Sequence, residues 1–102
     1  MNAKAYILPL REQFDRYHHH CDHCGVESYC DLHTAEWETA AGSFMFTLCR
    51  PCCVAMRRMS EVRRRKATTN AIVRHAARYS PQFGRFVADW YDVKMPKGVQ
   101  GT

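Results

Sequence analysis

Two cysteine pairs of the same form constrain this chain more than any other feature. Two residues separate Cys21 from Cys24 and Cys49 from Cys52, and 24 residues lie between the pairs. Two thiolates at this spacing can occupy adjacent corners of a tetrahedron, and four sulfur ligands favour zinc over magnesium or calcium. We therefore predict one structural zinc site, whose closed coordination leaves no position for catalysis.

The size and composition of the chain agree with a domain that needs a metal to fasten it. A chain of 102 residues allows one small domain with a shallow core. Its 46% apolar and 25% charged residues exclude a collagen-like or wholly disordered chain. Residues 1–9 are too short and too soon interrupted for a signal peptide or a membrane span. We expect a cytoplasmic protein with reduced thiols, and disulfides or an iron centre are the alternatives.

The residues between the cysteine pairs predict a turn and a β-hairpin. Gly25, directly after Cys24, favours a turn that requires a positive φ. Apolar residues alternate with polar ones on both sides of a turn at residues 41–43, which predicts a β-hairpin over about residues 35–48. Upstream, the three side chains that fit a short helix are Leu10, Phe14 and Tyr17, although residues 14–17 also fit an edge strand.

Helical periodicity predicts three helices after the hairpin. The first covers about residues 51–66, and Thr68-Thr69-Asn70 predicts a break before a second helix at about 70–79. Ser80-Pro81 is typical of the start of a third helix, which extends to about Val93. We expect the apolar face of the third helix to pack on the basic helix; its members are Phe83, Phe86, Val87, Trp90 and Tyr91.

Together these elements predict an α+β fold: a zinc-bound knuckle and hairpin, followed by a helical part of about three helices. We expect a single domain, 1–102, with an N-terminal segment (1–20), a zinc-finger unit (21–66), a helical extension (67–93) and a loose tail (94–102). The order of elements resembles a treble-clef zinc finger. Cys21-x-x-Cys24-Gly25 and Leu48-Cys49-Arg50-Pro51-Cys52 carry this resemblance, which covers somewhat under half of the chain and implies a fold more firmly than an activity.

Within that skeleton, Thr47-Leu48-Cys49-Arg50-Pro51-Cys52 is similar to the end of the four-cysteine HNH endonucleases. The resemblance puts His33 in the place of the general base on the first hairpin strand. However, Cys53 stands where the family has a histidine, and Ser43-Phe44-Met45-Phe46 stands where it has an asparagine. Since two of three catalytic positions are missing, we expect the skeleton without nuclease activity and no catalytic residues.

Further histidines and cysteines raise the hypothesis of a second zinc ion. Cys30 and His33 have a ligand spacing of their own. The remaining ligands would be two of four side chains, His18, His20, His23 and Cys53. Alternatively, the histidines between 18 and 23 are partly exposed, and one of them donates to a zinc-bound sulfur. His75 is expected to be a surface or helix-packing residue.

The positive charge of the chain is concentrated in one segment. The net charge is +5, but residues 50–78 hold nine basic side chains and one acidic one. One exposed helix face should carry Arg57, Arg58, Arg64 and Arg65, and Arg63 and Lys66 should flank it. Guanidinium groups suit phosphate oxygens, so we expect a zinc-stabilised regulatory or accessory protein that binds DNA or RNA.

The alternative function is a protein-interaction module or inhibitor, from a phage or mobile element, that docks on a larger host protein. Its contact surface would be the aromatic face of the third helix, or an acidic groove of the partner would receive the basic helix. We expect no membrane partner and no small-molecule substrate in either case.

Overall fold

The computed structural model describes residues 16–36 and 43–96. A three-stranded sheet is followed by three helices, which confirms the predicted α+β class. No helix in the described ranges is both long and apolar enough to cross a membrane. In chain order the elements are β1 (Arg16–His20), β2 (Glu27–Glu36), β3 (Ser43–Leu48), α1 (Arg50–Arg57), α2 (Glu61–Tyr79) and α3 (Pro81–Tyr91).

The sheet is antiparallel, with β2 between β1 and β3. Cys30 pairs with Tyr17 on β1, and His33 pairs with Phe46 on β3. The predicted hairpin is present as β2 and β3, although β2 begins at Glu27, well before residue 35. Its predicted turn at 41–43 falls largely in residues 37–42, which lie outside the described residues.

The segment before the first cysteine forms an edge strand where it is described. Tyr17 belongs to β1, so the short-helix interpretation is wrong at this residue and the strand interpretation holds. The other two residues of that pattern, Leu10 and Phe14, lie outside the described residues.

The boundary between the first two helices differs from the prediction. α2 is continuous through Thr68-Thr69-Asn70, and the break lies earlier, before Ser60. Ser60 begins the helix because its hydroxyl accepts a hydrogen bond from the amide of Arg63. Thr69 lies within the helix, where its hydroxyl donates to the carbonyl oxygen of Arg65, one turn earlier.

One apolar core joins the sheet, the helices and the cysteines. Burial of each large side chain in it contributes about 1.5–3 kcal/mol. The stripe predicted for the first helix is only partly buried: Cys52 and Met56 are covered, but Val62 is 79% exposed because the helix ends before it. The largest fully buried side chains are Phe46, Leu48, Met56, Ile72, Val73 and Val87.

α3 begins as predicted and lies unusually close to α2. The Ser80 hydroxyl accepts a hydrogen bond from the amide of Phe83, and Pro81 occupies the first turn. Gly84 is required by the contact between the helices, since a Cβ atom at this position would lie 2.7 Å from the Cβ atom of Ala77.

The aromatic face of α3 is divided between the core and the surface. Val87 is fully buried, and Phe44 on β3 contacts the rings of Trp90 and Tyr91, with centroids 6.2 and 5.8 Å apart. Phe83 and Phe86 remain exposed. One side of this face therefore lies in the core, where Trp90 and Tyr91 contact β3, and the other side is exposed.

The residues directly after α3 also lie against the core. Met95 packs on the core cluster and Pro96 is buried, although residues 94–102 were expected to be a loose tail. Residues 97–102 lie outside the described residues.

Candidate metal centre and cationic surface

The first cysteine pair lies in a tight turn between β1 and β2. The amide of Gly25 donates to the carbonyl oxygen of Cys21 at 2.9 Å, and the amide of Cys21 donates to that of Val26 at 2.8 Å. Gly25 has the predicted positive φ, 85°. The amides of His23 and Cys24 lie 3.4 and 3.5 Å from Cys21 Sγ, so the turn supplies donors to a thiolate.

The second pair lies at the start of α1, and the fold brings all four sulfurs together. The Sγ atoms of Cys21, Cys24, Cys49 and Cys52 are within 4.8 Å of one another. The Sγ atoms of Cys24 and Cys49 are 3.8 Å apart. Zn–S bonds of about 2.3 Å give a tetrahedron with edges of about 3.8 Å, whereas a disulfide is about 2.0 Å long. All six cysteines are free thiols, and this cluster fits one zinc ion.

Burial and hydrogen bonds shift the pKa values of three of the four thiols. Burial raises the pKa of Cys49, and burial together with neighbouring cysteines raises that of Cys52. Burial acts in the same direction on Cys21, but amide donors from Cys24, Cys49 and His23 outweigh it and lower the pKa of Cys21. A divalent ion would stabilise the deprotonated form of all four, and its binding would release protons.

A second cluster of ligand atoms is formed by Asp31 and His33 on β2 and Cys53 on α1. All three side chains are buried, and their ligand atoms lie within 4.8 Å of one another. His33 Nε2 is 3.1 Å from Cys53 Sγ, and the His33 ring stacks on Phe46. The guanidinium of Arg50 is 3.8 Å from the Asp31 carboxylate. The cluster offers three ligands for a second zinc ion, one fewer than a closed tetrahedral site.

The cluster combines a neutral imidazole with a thiol whose pKa is raised. Burial lowers the pKa of His33, so the ring is neutral near pH 7. Burial also raises the pKa of Cys53 to about 11. A thiol that retains its proton is a poor nucleophile, whereas a neutral imidazole is a good metal ligand.

Only His33 and Cys53, of the residues predicted for a second site, belong to this cluster. Cys30 does not, because β2 is a strand and residues three apart in a strand project to opposite faces. Asp31, two residues from His33, shares its face and takes part instead. Of the other predicted ligands, His20 is exposed, His23 lies in the first cysteine turn, and the His18 side chain lies outside the described part of the structure.

A buried polar network next to the zinc cluster was not evident from the sequence. The carboxylate of Asp22 accepts hydrogen bonds from the Thr47 amide (2.7 Å) and hydroxyl (2.9 Å), from His75 (2.9 Å) and from Arg78 (2.9 Å). Burial would raise the pKa of Asp22, but these donors outweigh it and lower the pKa. Arg74 donates to the Asp22 carbonyl oxygen at 3.1 Å. His75 is therefore a packing residue that connects α2 to the cysteine turn.

The predicted basic residues lie on two helices rather than on one continuous face. Arg57 ends α1, and the residues from Arg63 onwards belong to α2. Arg64 donates to the Met59 carbonyl oxygen at 3.2 Å, and Arg65 pairs with Glu61 at 3.3 Å. Of the six predicted basic residues, four have neither an ion pair nor a side-chain hydrogen bond within the described ranges: Arg57, Arg58, Arg63 and Lys66.

No protein family, curated protein or solved structure matches the chain. The interpretation of the site therefore rests on the geometry of its residues. That geometry supports a zinc-stabilised small domain.

Proposed function

We propose that this protein is a zinc-stabilised nucleic-acid-binding domain with a treble-clef-like skeleton and a regulatory or accessory role. The observation that supports it most is the cluster of cationic side chains beside the four-cysteine site. Nine basic residues and one acidic residue occupy 50–78. Three of the nine pair with carboxylates, Arg50 with Asp31, Arg65 with Glu61 and Arg78 with Asp22. The remaining cationic groups would attract a polyanion.

The order of the metal-binding elements supports the treble-clef part of this proposal. A turn carries Cys21 and Cys24, an antiparallel hairpin follows, and the helix after the hairpin carries Cys52 close to Cys49. The zinc ion would hold turn and helix together at the position from which the cationic residues extend.

The surroundings of His33 favour binding over hydrolysis. In the HNH resemblance this residue stands for the general base, but here it is buried and its Nε2 atom contacts Cys53. A general base must reach the proton that it removes. We therefore propose an accessory protein and not a nuclease.

Fluorescence anisotropy with short DNA and RNA duplexes over a series of salt concentrations tests this proposal. Wild-type affinity should fall steeply with salt, with a slope of about 0.9 per phosphate contact for duplex DNA. Replacing Arg57, Arg58, Arg63 and Lys66 together by alanine should remove most of the affinity and flatten the slope. Arg85→Ala, which removes an exposed cationic side chain on α3, is the control for loss of a charge. Equal binding by the quadruple variant and the wild type would contradict the proposal.

A protein-interaction module or inhibitor remains the second candidate, supported by the exposed aromatic side chains. Tyr79 is 68% and Phe86 54% exposed. An apolar groove of about 430 Å³ runs beside them, lined by Phe44, Ile72 and Phe83 among others. A host-protein complex that persists in high salt and is lost in Phe83→Ser plus Phe86→Ser would favour this candidate.

A further inference from the structure

A concave depression of about 360 Å³ lies between the first cysteine turn and α2. His23 lines it from the turn, and Arg63, Lys66, Asn70 and Arg74 line it from the helix. These four helical residues are spaced by three or four positions, so they project from one face of α2. The depression therefore joins the metal-binding turn to one cationic stripe.

The groups around this depression suit an anion. Three of them are cationic and, among the described residues, no acidic side chain lines the depression. Arg63 and Lys66 have no ion pair within the described ranges. Arg74 donates to the carbonyl oxygen of Asp22, which is a neutral acceptor, so the positive charge of the guanidinium is retained.

Two neutral side chains that can form hydrogen bonds, His23 and Asn70, also line the depression. The Nδ1 atom of His23 is buried and has no hydrogen-bond partner among the described residues. The Asn70 amide, which can donate two hydrogen bonds, lies on the same stripe between Lys66 and Arg74. The depression is therefore lined both by cationic groups and by neutral groups that can form hydrogen bonds.

We propose that this depression binds a phosphate group of the nucleic acid, an inference that rests on the proposed function. Arg63 and Lys66 would neutralise the phosphate, and Arg74 and Asn70 would donate hydrogen bonds to its oxygens. The His23 amide donates toward Cys21 Sγ, so one wall of the site belongs to the metal-binding turn. Zinc would therefore be needed for phosphate binding as well as for the fold.

Asn70→Ala provides the sharpest test because it changes no charge. Both Asn70→Ala and Lys66→Ala remove a hydrogen bond to the charged phosphate. Loss of one such bond should weaken duplex binding about tenfold. The matched controls are Gln82→Ala and Arg85→Ala, exposed residues of α3 outside the depression, which should bind duplex within about twofold of wild type. Unchanged zinc content and circular dichroism would show that each variant is folded.

The comparison with Arg57→Ala plus Arg58→Ala separates the two proposals. If that double variant weakens duplex binding while Asn70→Ala and Lys66→Ala do not, the proposed function stands and the phosphate site is wrong. Oligonucleotides with and without a 5′-phosphate identify whether the bound group is terminal or internal.

Inorganic phosphate tests the depression independently of nucleic acid. Titration should shift the side-chain amide resonances of Asn70 in the wild type and leave them unshifted in Arg63→Ala plus Lys66→Ala. If the wild type binds neither DNA nor RNA, the proposed function fails, and this titration alone then decides on the depression. If phosphate does not shift the Asn70 resonances of the wild type, the proposed phosphate site is wrong.

Discussion

The carboxylate of Asp22 accepts a hydrogen bond of 2.9 Å from the ring of His75, 53 residues further along the chain. This contact connects the first cysteine turn to the middle of α2. Because the donors around the Asp22 carboxylate outweigh its burial and lower its pKa, the carboxylate is charged and the ring nitrogen is the donor. This contact therefore fixes the position of the first cysteine turn relative to α2, the helix that carries the cationic stripe.

Asp22→Asn should destabilise the fold strongly while leaving all four cysteines in place. The amide cannot accept all the hydrogen bonds that the carboxylate accepts, and it leaves Arg78 without its ionic partner. We expect a loss of about 3 kcal/mol in the free energy of unfolding, measured by urea denaturation of the zinc-loaded protein. Asp89→Asn, an exposed carboxylate on α3, should change it by less than about 0.5 kcal/mol. Similar stability of the two variants would show that the buried network contributes little.

Gly84→Ala should destabilise the protein although alanine favours helices. The new methyl group would lie 2.7 Å from the Cβ atom of Ala77, which forces α2 and α3 apart. We expect a cost of about 1–3 kcal/mol from overpacking, larger than the gain of about 1 kcal/mol in helix propensity. In thermal denaturation, Gly84→Ala should cost less in an Ala77→Gly background, which removes the contact of 2.7 Å but keeps those of 3.0 and 3.3 Å with the Cα and N atoms of residue 77. An equal cost in both backgrounds would point to a cause other than this contact.

Tyr91 should make the stability of the protein depend on alkaline pH. Its hydroxyl is buried without a hydrogen-bond partner among the described residues, and burial raises the pKa of Tyr91 from 10.0 to about 12. Between these values the unfolded chain has lost the proton and the folded chain retains it. The free energy of unfolding should therefore fall as the pH rises from 10 to about 12.

Tyr91→Phe isolates that contribution. Urea denaturation should show the variant to be at least as stable as the wild type below pH 10, because an unsatisfied buried hydroxyl is removed. Above that pH the variant should lose less stability than the wild type. If the free energies of unfolding of the two proteins change in parallel with pH, the Tyr91 hydroxyl is accessible to water.

Zinc titration should distinguish the two clusters. The four-cysteine cluster supplies four thiolates, whereas Asp31, His33 and Cys53 supply only three mixed ligands, so the second ion should bind more weakly. We expect two binding steps by calorimetry, of which His33→Ala removes only the weaker. His20→Ala, which changes an exposed histidine, should leave both steps intact. A single step in the wild type would rule out a second site.

Local sequence signals were sufficient to predict several features of the fold. The spacing of Cys21, Cys24, Cys49 and Cys52 anticipated a cluster that the structure shows, because each pair is local and only the hairpin needed to bring the pairs together. Ser80-Pro81 identified the start of α3 for the same reason, since a capping hydroxyl and a proline act within one helical turn.

Other features depended on contacts that local patterns do not contain. Ser60 and the Thr68-Thr69-Asn70 segment offered competing helix starts, and the choice depended on which hydroxyl capped an amide and which bonded within the helix. The spacing of Cys30 and His33 suggested a shared metal, but the alternation of side chains along β2 selects Asp31 instead. The partners of Asp22 are Thr47, His75 and Arg78, at sequence separations of 25 to 56 residues, so no window of the sequence could show them.

The dependence of nucleic-acid binding on zinc tests the central claim most directly. Anisotropy of a labelled duplex should be measured with the protein as purified, after removal of metal by a chelator, and after addition of zinc or magnesium. We expect binding to be lost with the metal and restored by zinc but not by magnesium, because the four thiolates select the softer ion and the cysteine turn supports the cationic stripe. If the metal-free protein binds the duplex with undiminished affinity, the central claim is contradicted.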